Sequence, residues 1–316
     1  MTFRGNPWLG LPGSLALALV TGDACRAAPD RLCAIDMGSN SFRRIVGTFA
    51  DGNYTELRID SKTMGVGDDV EQHGRISQGK LAQIGNTLSE FRVACEADGA
   101  PSPVAVGTAA FRDAPNGDDA IAVARQSGIR MEIASEERES ELAYLVGSLG
   151  REGYAVIDNG SRSIELVAKP GGVLQHRVFN LGYRVAYQEF FAAATDPAQA
   201  VRAFRERLRT ETSAAAFMKG HSTLAGVEFM EMAEVLFSEV PDGHAFTLAQ
   251  LKARLDAIAE SPSEFGRLKA IDDIDRALPR LVVAVDMMEA FGYSEMSVTS
   301  RQLGAGLIIE AGLRGR

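Results

Sequence analysis

The sequence predicts an α/β protein of two lobes, each a mixed sheet flanked by helices. Two observations carry this. First, a short segment recurs: Ile35-Asp36-Met37-Gly38-Ser39-Asn40-Ser41-Phe42-Arg43 is echoed by Ile157-Asp158-Asn159-Gly160-Ser161-Arg162-Ser163-Ile164-Glu165, with Ile, Asp, Gly, Ser and Ser in constant register. Second, each copy sits inside three strand-like runs and is followed by helices alternating with short strands, the order expected of mixed sheets covered by helices.

In the first half, residues 33–35, 45–49 and 54–59 read as consecutive strands, joined by turns at Gly38 and at Asp51-Gly52-Asn53. Ser77 can cap a helix that carries Leu81, Ile84, Leu88 and Phe91 on one face. Residues 103–107 form a strand running into Thr108-Ala109-Ala110-Phe111-Arg112; 116–126 is a helix that Gly128 would close. A strand at 130–134 follows, and Ser135 opens a helix to about residue 149. The second half begins the same way, with strands at 154–157, 164–168 and 174–180 around a Pro170-Gly171-Gly172 turn. Helices follow at 183–194, 197–217, 247–260 and 272–289, with short strands at 224–227 and 296–299 and a closing helix from Gly304. The reading is therefore lobe I at 31–150 and lobe II at 151–316.

Residues 1–30 stand apart as a leader. Arg4 precedes a weakly apolar run from Leu9 to Val20, then small residues around Ala27, as in a secretory signal. Gly10, Pro12, Gly13 and Ser14 interrupt that run, which fits an N-terminal extension equally well. The first reading places the protein in the periplasm after cleavage near residue 27, the second in the cytoplasm. No stretch is long and unbroken enough to be a transmembrane helix.

At 316 residues the chain can bury two cores. A net charge of -9 without a basic block argues against a nucleic-acid partner. Cys25, Cys33 and Cys95 fit neither a zinc spacing nor a disulfide framework, and the four His are scattered.

The doubled turn carries the chemistry. A glycine there can take φ > 0 and lets a ligand approach the backbone. The amides and Ser hydroxyls that follow can converge on one anion, and an Asp at the strand end suits a divalent cation. Two such turns facing each other would hold a phosphate chain between them. In the helix after Ser135, Glu139 falls on or beside the stripe of Leu142, Leu145, Val146 and Leu149. It is either a first-turn acid complementing the helix dipole or a base at a cleft wall.

Four segments together resemble the exopolyphosphatase / guanosine pentaphosphate phosphohydrolase (Ppx/GppA) family: Ala34 to Phe42, Gly107 to Arg112, Met131-Glu132-Ile133-Ala134 with Glu139 and Leu142, and Ile157 to Glu165. Asn180-Leu181-Gly182-Tyr183 and Val298 to Ile308 are similar to its later segments. The resemblance implies ribonuclease-H-like lobes of the actin-like ATPase superfamily. It implies a hydrolase that releases orthophosphate from polyphosphate or a phosphorylated guanosine nucleotide with Mg2+, and it leaves a homodimer open. Carried over, Gly38, Ser39, Asn40, Ser41, Gly160, Ser161, Arg162 and Ser163 bind phosphate, as does Arg112. Glu139 is the catalytic base, and Asp36, Asp158 and Glu165 surround the metal.

The chain departs from that family in three places. The family's second loop is Asp-x-Gly-Gly-Gly-Ser-Thr-Glu, and here Ser161 and Arg162 replace two glycines. Where the family has a Gly-Gly-Thr-type turn, this chain has Gly226-Val227-Glu228-Phe229-Met230. Arg138 stands beside Glu139 in place of a Glu. Two readings follow. Arg138 and Arg162 replace lost amides in an active enzyme, or Arg162 fills the phosphate site, pairs with Glu139 or Glu165, and leaves a regulatory pseudoenzyme. A kinase-like phosphotransferase is a third reading, against which the bulk of Glu228-Phe229-Met230 argues.

Overall fold

A computed structural model describes residues 30–238, 240–271 and 273–315, so residues 1–29 of the leader lie outside the described residues. The first sheet starts as a meander of β1 (Leu32–Met37), β2 (Ser41–Ala50) and β3 (Asn53–Thr63). Its β2–β3 hairpin turns on Asp51 and Gly52, both at positive φ, the backbone twist such a turn needs. Helices α1 (Val66–His73) and α2 (Gln78–Ala97) follow, then β4 (Val104–Gly107), α3 (Ala109–Asp113), α4 (Gly117–Gln126), β5 (Arg130–Ile133) and α5 (Glu136–Ser148). Ser77 caps α2 and Ser135 caps α5, each accepting the amide three residues on, at Lys80 and Arg138. The sheet order is β3-β2-β1-β4-β5, with β4 parallel to β1 and β5 parallel to β4.

The second lobe repeats this plan. It contains β6 (Tyr154–Asn159), β7 (Ile164–Ala168), β8 (Gln175–Phe179), α6 (Tyr183–Ala186) with a π-helical turn at Tyr187–Phe191, and α7 (Pro197–Thr212). Then come β9 (Thr223–Val227), α8 (Met230–Phe237), β10 (Ala245–Thr247), α9 (Leu248–Ala259), α10 (Pro262–Leu268), α11 (Ile274–Phe291), β11 (Glu295–Thr299) and α12 (Leu303–Arg314). The sheet order is β10-β11-β9-β6-β7-β8. Strands β6, β7, β8, β9 and β11 thus repeat β1, β2, β3, β4 and β5, and β10 adds an edge.

The lobes exchange one helix each. Helix α12 packs on the first sheet, its Leu303, Leu307, Ile308 and Ile309 meeting Ala34, Ile45 and Phe49. Helix α5 turns the other way: Tyr144 and Val146 pack with Val156, Val167, Ala225 and Val227 of the second sheet. The expected block 151–316 therefore gives up residues 303–314 to the first lobe. Sequence order groups α12 with its neighbours in the chain, whereas its apolar face is buried against β1 and β2. Where α5 and α12 cross, a Cβ on Gly306 would stand 2.9 Å from the Leu142 carbonyl, so this contact requires glycine.

The outer faces carry larger cores. Ile84, Leu88 and Phe91 of α2 cover the first sheet with Ile35 and Phe42. Phe204, Leu208, Leu281 and Val282 from α7 and α11 cover the second. Cys33 and Cys95 form a disulfide with a Cα–Cα distance of 5.9 Å, contrary to the expectation from spacing. The packing of α2 against β1 brings together two residues 62 positions apart, which spacing cannot show. Helices α1, α3, α8 and α10 and strand β10 are also additions to the sequence reading; most are short.

Candidate active site

Both turns line one cleft of about 400 Å3 between the lobes: Gly38, Ser39, Asn40 and Ser41 from the first, Gly160, Ser161, Arg162 and Ser163 from the second. Asp36, Glu139, Asp158 and Glu165 line it too. Each turn is pinned by its carbonyls. Ser39 O accepts from Gly67 N at 2.8 Å, and Asn40 O from Met64 N at 2.7 Å and Gly65 N at 2.9 Å. In the second turn, Gly160 O, Ser161 O and Arg162 O accept from Tyr183, Arg184 and Gly182 amides at 3.0–3.1 Å. A Cβ on Gly182 would lie 2.4 Å from Gly160 O, so only glycine lets that helix start close on the turn. The amides of Ser39, Asn40, Ser161 and Arg162 donate to nothing among the described residues. Each turn therefore keeps unspent donors, the requirement for an anion nest.

The two turn glycines do not adopt the expected φ > 0. Gly38 is constrained by proximity, since a Cβ would be 3.2 Å from Ser41 O; at Gly160 the nearest atom is at an ordinary 3.7 Å.

The carboxylates are held above their ordinary range. Burial pushes Asp36 up to about 7 against the pull of Arg43, with Glu228 and Glu139 adding to the rise. Burial and Glu139 push Glu165 up to about 8, although Ser163 Oγ donates to it at 2.5 Å. Asp158 is raised well above its ordinary value by burial and by Glu165, its cross-strand partner. Asp158 Oδ1 and both side-chain polar atoms of Asn159 are buried with no hydrogen-bond partner among the described residues. Among the described residues no three His, Cys, Asp or Glu converge tightly enough to hold an ion by themselves. Asp36 comes from one lobe and Asp158 and Glu165 from the other, so the expected three-carboxylate shell is not ready-made.

Glu139 lies in the first turn of α5, mostly buried, and burial raises its pKa. Its Oε2 accepts from Arg112 Nη1 at 2.7 Å, and the same Nη1 reaches Ala134 O at 3.0 Å. Arg112 thus stands behind Glu139 and is absent from the cleft lining. Arg138 is committed elsewhere, to Glu310 at 2.8 and 2.9 Å, Glu132 at 3.0 Å and Glu141 at 3.3 Å, so it cannot replace loop amides. Arg162 is exposed, lines the cleft and makes no ion pair among the described residues. The pairing with Glu139 or Glu165 on which the plugged-site reading depended is not formed.

Sequence reasoning missed the arginines in and behind the cleft lining, of which Arg43 lies 3.9 Å from Asp36. Arg43, Arg276 and Arg280 surround Glu228 and Glu231 there, with Tyr183 beneath Arg280. A signal existed: Arg43 occupies in the first repeat the position Glu165 occupies in the second, and Arg276 and Arg280 are spaced to share a helix face.

Duplicated sheets, exchanged helices and two matching turns on one cleft define a two-lobed α/β protein with a mixed sheet in each lobe. The profile of the Ppx/GppA phosphatase family matches residues 45–314, and the chain belongs to that family. A solved family member from Aquifex aeolicus superposes with a TM-score of 0.78 at 23% identity, covering 92% of this chain and 99% of that one. An exopolyphosphatase structure from Cytophaga hutchinsonii gives 0.69 at 18% identity, covering 90% and 98%. These likenesses establish the fold. Among curated relatives, exopolyphosphatase 1 of Mycobacterium leprae is 27% identical over 144 residues, 43% of this chain and 42% of that protein. The guanosine-5'-triphosphate,3'-diphosphate pyrophosphatase of Vibrio cholerae is 31% identical over 144 residues, 44% and 29% respectively. The matched stretch spans less than half the length of these relatives. No described helix is long and apolar enough to cross a membrane.

Proposed function

We propose that the protein hydrolyses a terminal phosphoanhydride bond, in polyphosphate or a phosphorylated guanosine nucleotide, and releases orthophosphate. One observation carries this reading: two turns from different lobes face one cleft with unspent amides, and Glu139 lies on the same wall. The amides of Ser39, Asn40, Ser161 and Arg162 take phosphate oxygens, aided by the unpaired Arg162 guanidinium. Glu139 accepts a proton from water as its oxygen attacks the terminal phosphorus, and the anhydride P–O bond breaks toward the remaining chain. A carboxylate raised toward neutrality suits this work. Arg112 holds Oε2 of Glu139 and so positions it; standing outside the cleft lining, it acts through Glu139 and not on the phosphate.

Asp36, Asp158 and Glu165 suit magnesium chemically, being hard oxygen donors, and the orphaned Asp158 Oδ1 asks for a cation. These three residues would hold magnesium, which would offset charge on the transferred phosphoryl group. Phosphate release measured with malachite green tests the proposal on polyphosphate and guanosine pentaphosphate, with Glu139→Gln as the control. No release from either substrate by the wild type with magnesium sinks it. The alternative, a regulatory protein that binds without turnover, keeps one observation in its favour: Glu228 and Glu231 line the same cleft. Calorimetric binding of polyphosphate without phosphate release would establish it.

A further inference from the structure

Glu228 lies between β9 and α8, on the cleft lining, in the left-handed region at φ 65°. That conformation is disfavoured for a residue with a Cβ and is retained where the surroundings hold it in place. Here two guanidiniums hold it. Oε1 accepts from Arg43 Nη1 at 3.2 Å, and Oε2 from Arg280 Nη2 at 3.2 Å. Arg43 comes from the first lobe and Arg280 from the second, so this carboxylate ties the lobes together across the cleft. Arg280 is almost wholly buried; it lies over the Tyr183 ring at 4.3 Å and donates to Asn159 O at 3.1 and 3.3 Å. Glu231 repeats the arrangement beside it, accepting from Arg280 at 2.6 Å and Arg276 at 3.0 Å.

Two guanidinium forks converging on one small anion form the arrangement that recognises phosphate. In this chain the anion is supplied internally. We infer that Glu228 is a specificity residue whose carboxylate occupies an anion subsite made by Arg43 and Arg280. The wild-type cleft then takes a short phosphate run on the two turns and rejects a further phosphate where the Glu228 carboxylate stands, beside Arg43. The inference relies on the phosphoanhydride reading only for the identity of the substrate, and its test reads binding rather than turnover, so the two can fail separately.

The test is calorimetric titration of wild type, Glu228→Gln and Glu228→Gly with inorganic orthophosphate and triphosphate, with metal chelated to prevent hydrolysis. Glutamine keeps the shape and removes the charge; glycine also relieves the positive φ. Both variants should bind triphosphate at least about tenfold more tightly than wild type, with a smaller gain for orthophosphate. Adding Arg43→Gln to either variant should remove the gain. Unchanged or weaker triphosphate binding in variants that melt cooperatively overturns the proposal. So does unfolding of both variants, since that would make Glu228 a structural residue.

Discussion

The two copies of the turn share their backbone plan and differ in the residue that faces the strand-end aspartate. Across β1 and β2, Asp36 is in register with Arg43, whose Nη1 lies 3.9 Å from its Oδ2. Across β6 and β7, Asp158 is in register with Glu165. The first copy sets a guanidinium near its aspartate, whereas the second places two buried carboxylates side by side with no cation among the described residues in contact with Asp158. The helices that follow differ in the same way. Four residues after its N-cap, α5 carries Glu139, whereas α12 carries the glycine that lets the helices cross. One duplicated frame has thus been divided: a half with a guanidinium beside its strand-end aspartate and a half with a second carboxylate there, with a candidate base on one helix only.

This comparison can be broken at several points. Glu139→Gln should lower the rate of phosphate release by about 10²–10⁴-fold and leave the melting temperature nearly unchanged. A rate within a few-fold of wild type would remove α5's special status. Arg43→Glu makes the first copy as acidic as the second and leaves Asp36 and Glu228 without their shared partner. Chemical denaturation should show a loss of up to about 3 kcal/mol, as for other broken buried pairs.

The third test concerns pH. Glu165 titrates at about 8 in the folded protein against an ordinary 4.5, and Asp36 at about 7 against 3.8. Between those values the folded state keeps protons that the unfolded chain has released, so stability falls as pH rises through that window. Below about pH 4 both states are protonated and the effect vanishes. Metal-free protein should therefore melt several degrees lower at pH 8 than at pH 5. Magnesium or Glu165→Gln should flatten that slope. A flat profile in metal-free wild type would contradict the acid-rich second copy. The smallest effect is expected from Arg162→Ala: a several-fold rise in KM, about 1 kcal/mol, with no change in melting, because that guanidinium makes no ion pair to lose.

Much of the fold was legible. The repeat of Ile35–Arg43 in Ile157–Glu165 foretold the matching meanders, and Ser77 and Ser135 cap the helices assigned to them. The short helices α1, α3 and α10 have too few turns to build a periodic signal. At the site, both turns, Glu139 and the three acids do meet in one cleft, because a turn between paired strands is a local structure. The fate of the charged side chains was not local. Arg112 holds Glu139, Arg138 holds Glu310, and Arg43 holds Glu228, partners 27, 172 and 185 positions away.

The sequence by itself determined the duplicated lobes, the two turns and the residue types placed on them, since strand alternation, glycine and caps act over a few residues. The tertiary structure decided which helix serves which lobe, that Cys33 meets Cys95, and that Arg162 has no ion pair among the described residues while Glu228 is gripped from both sides. Those outcomes depend on burial and charge pairing between segments far apart in the chain, and only the packed sheets bring such segments within reach of one another.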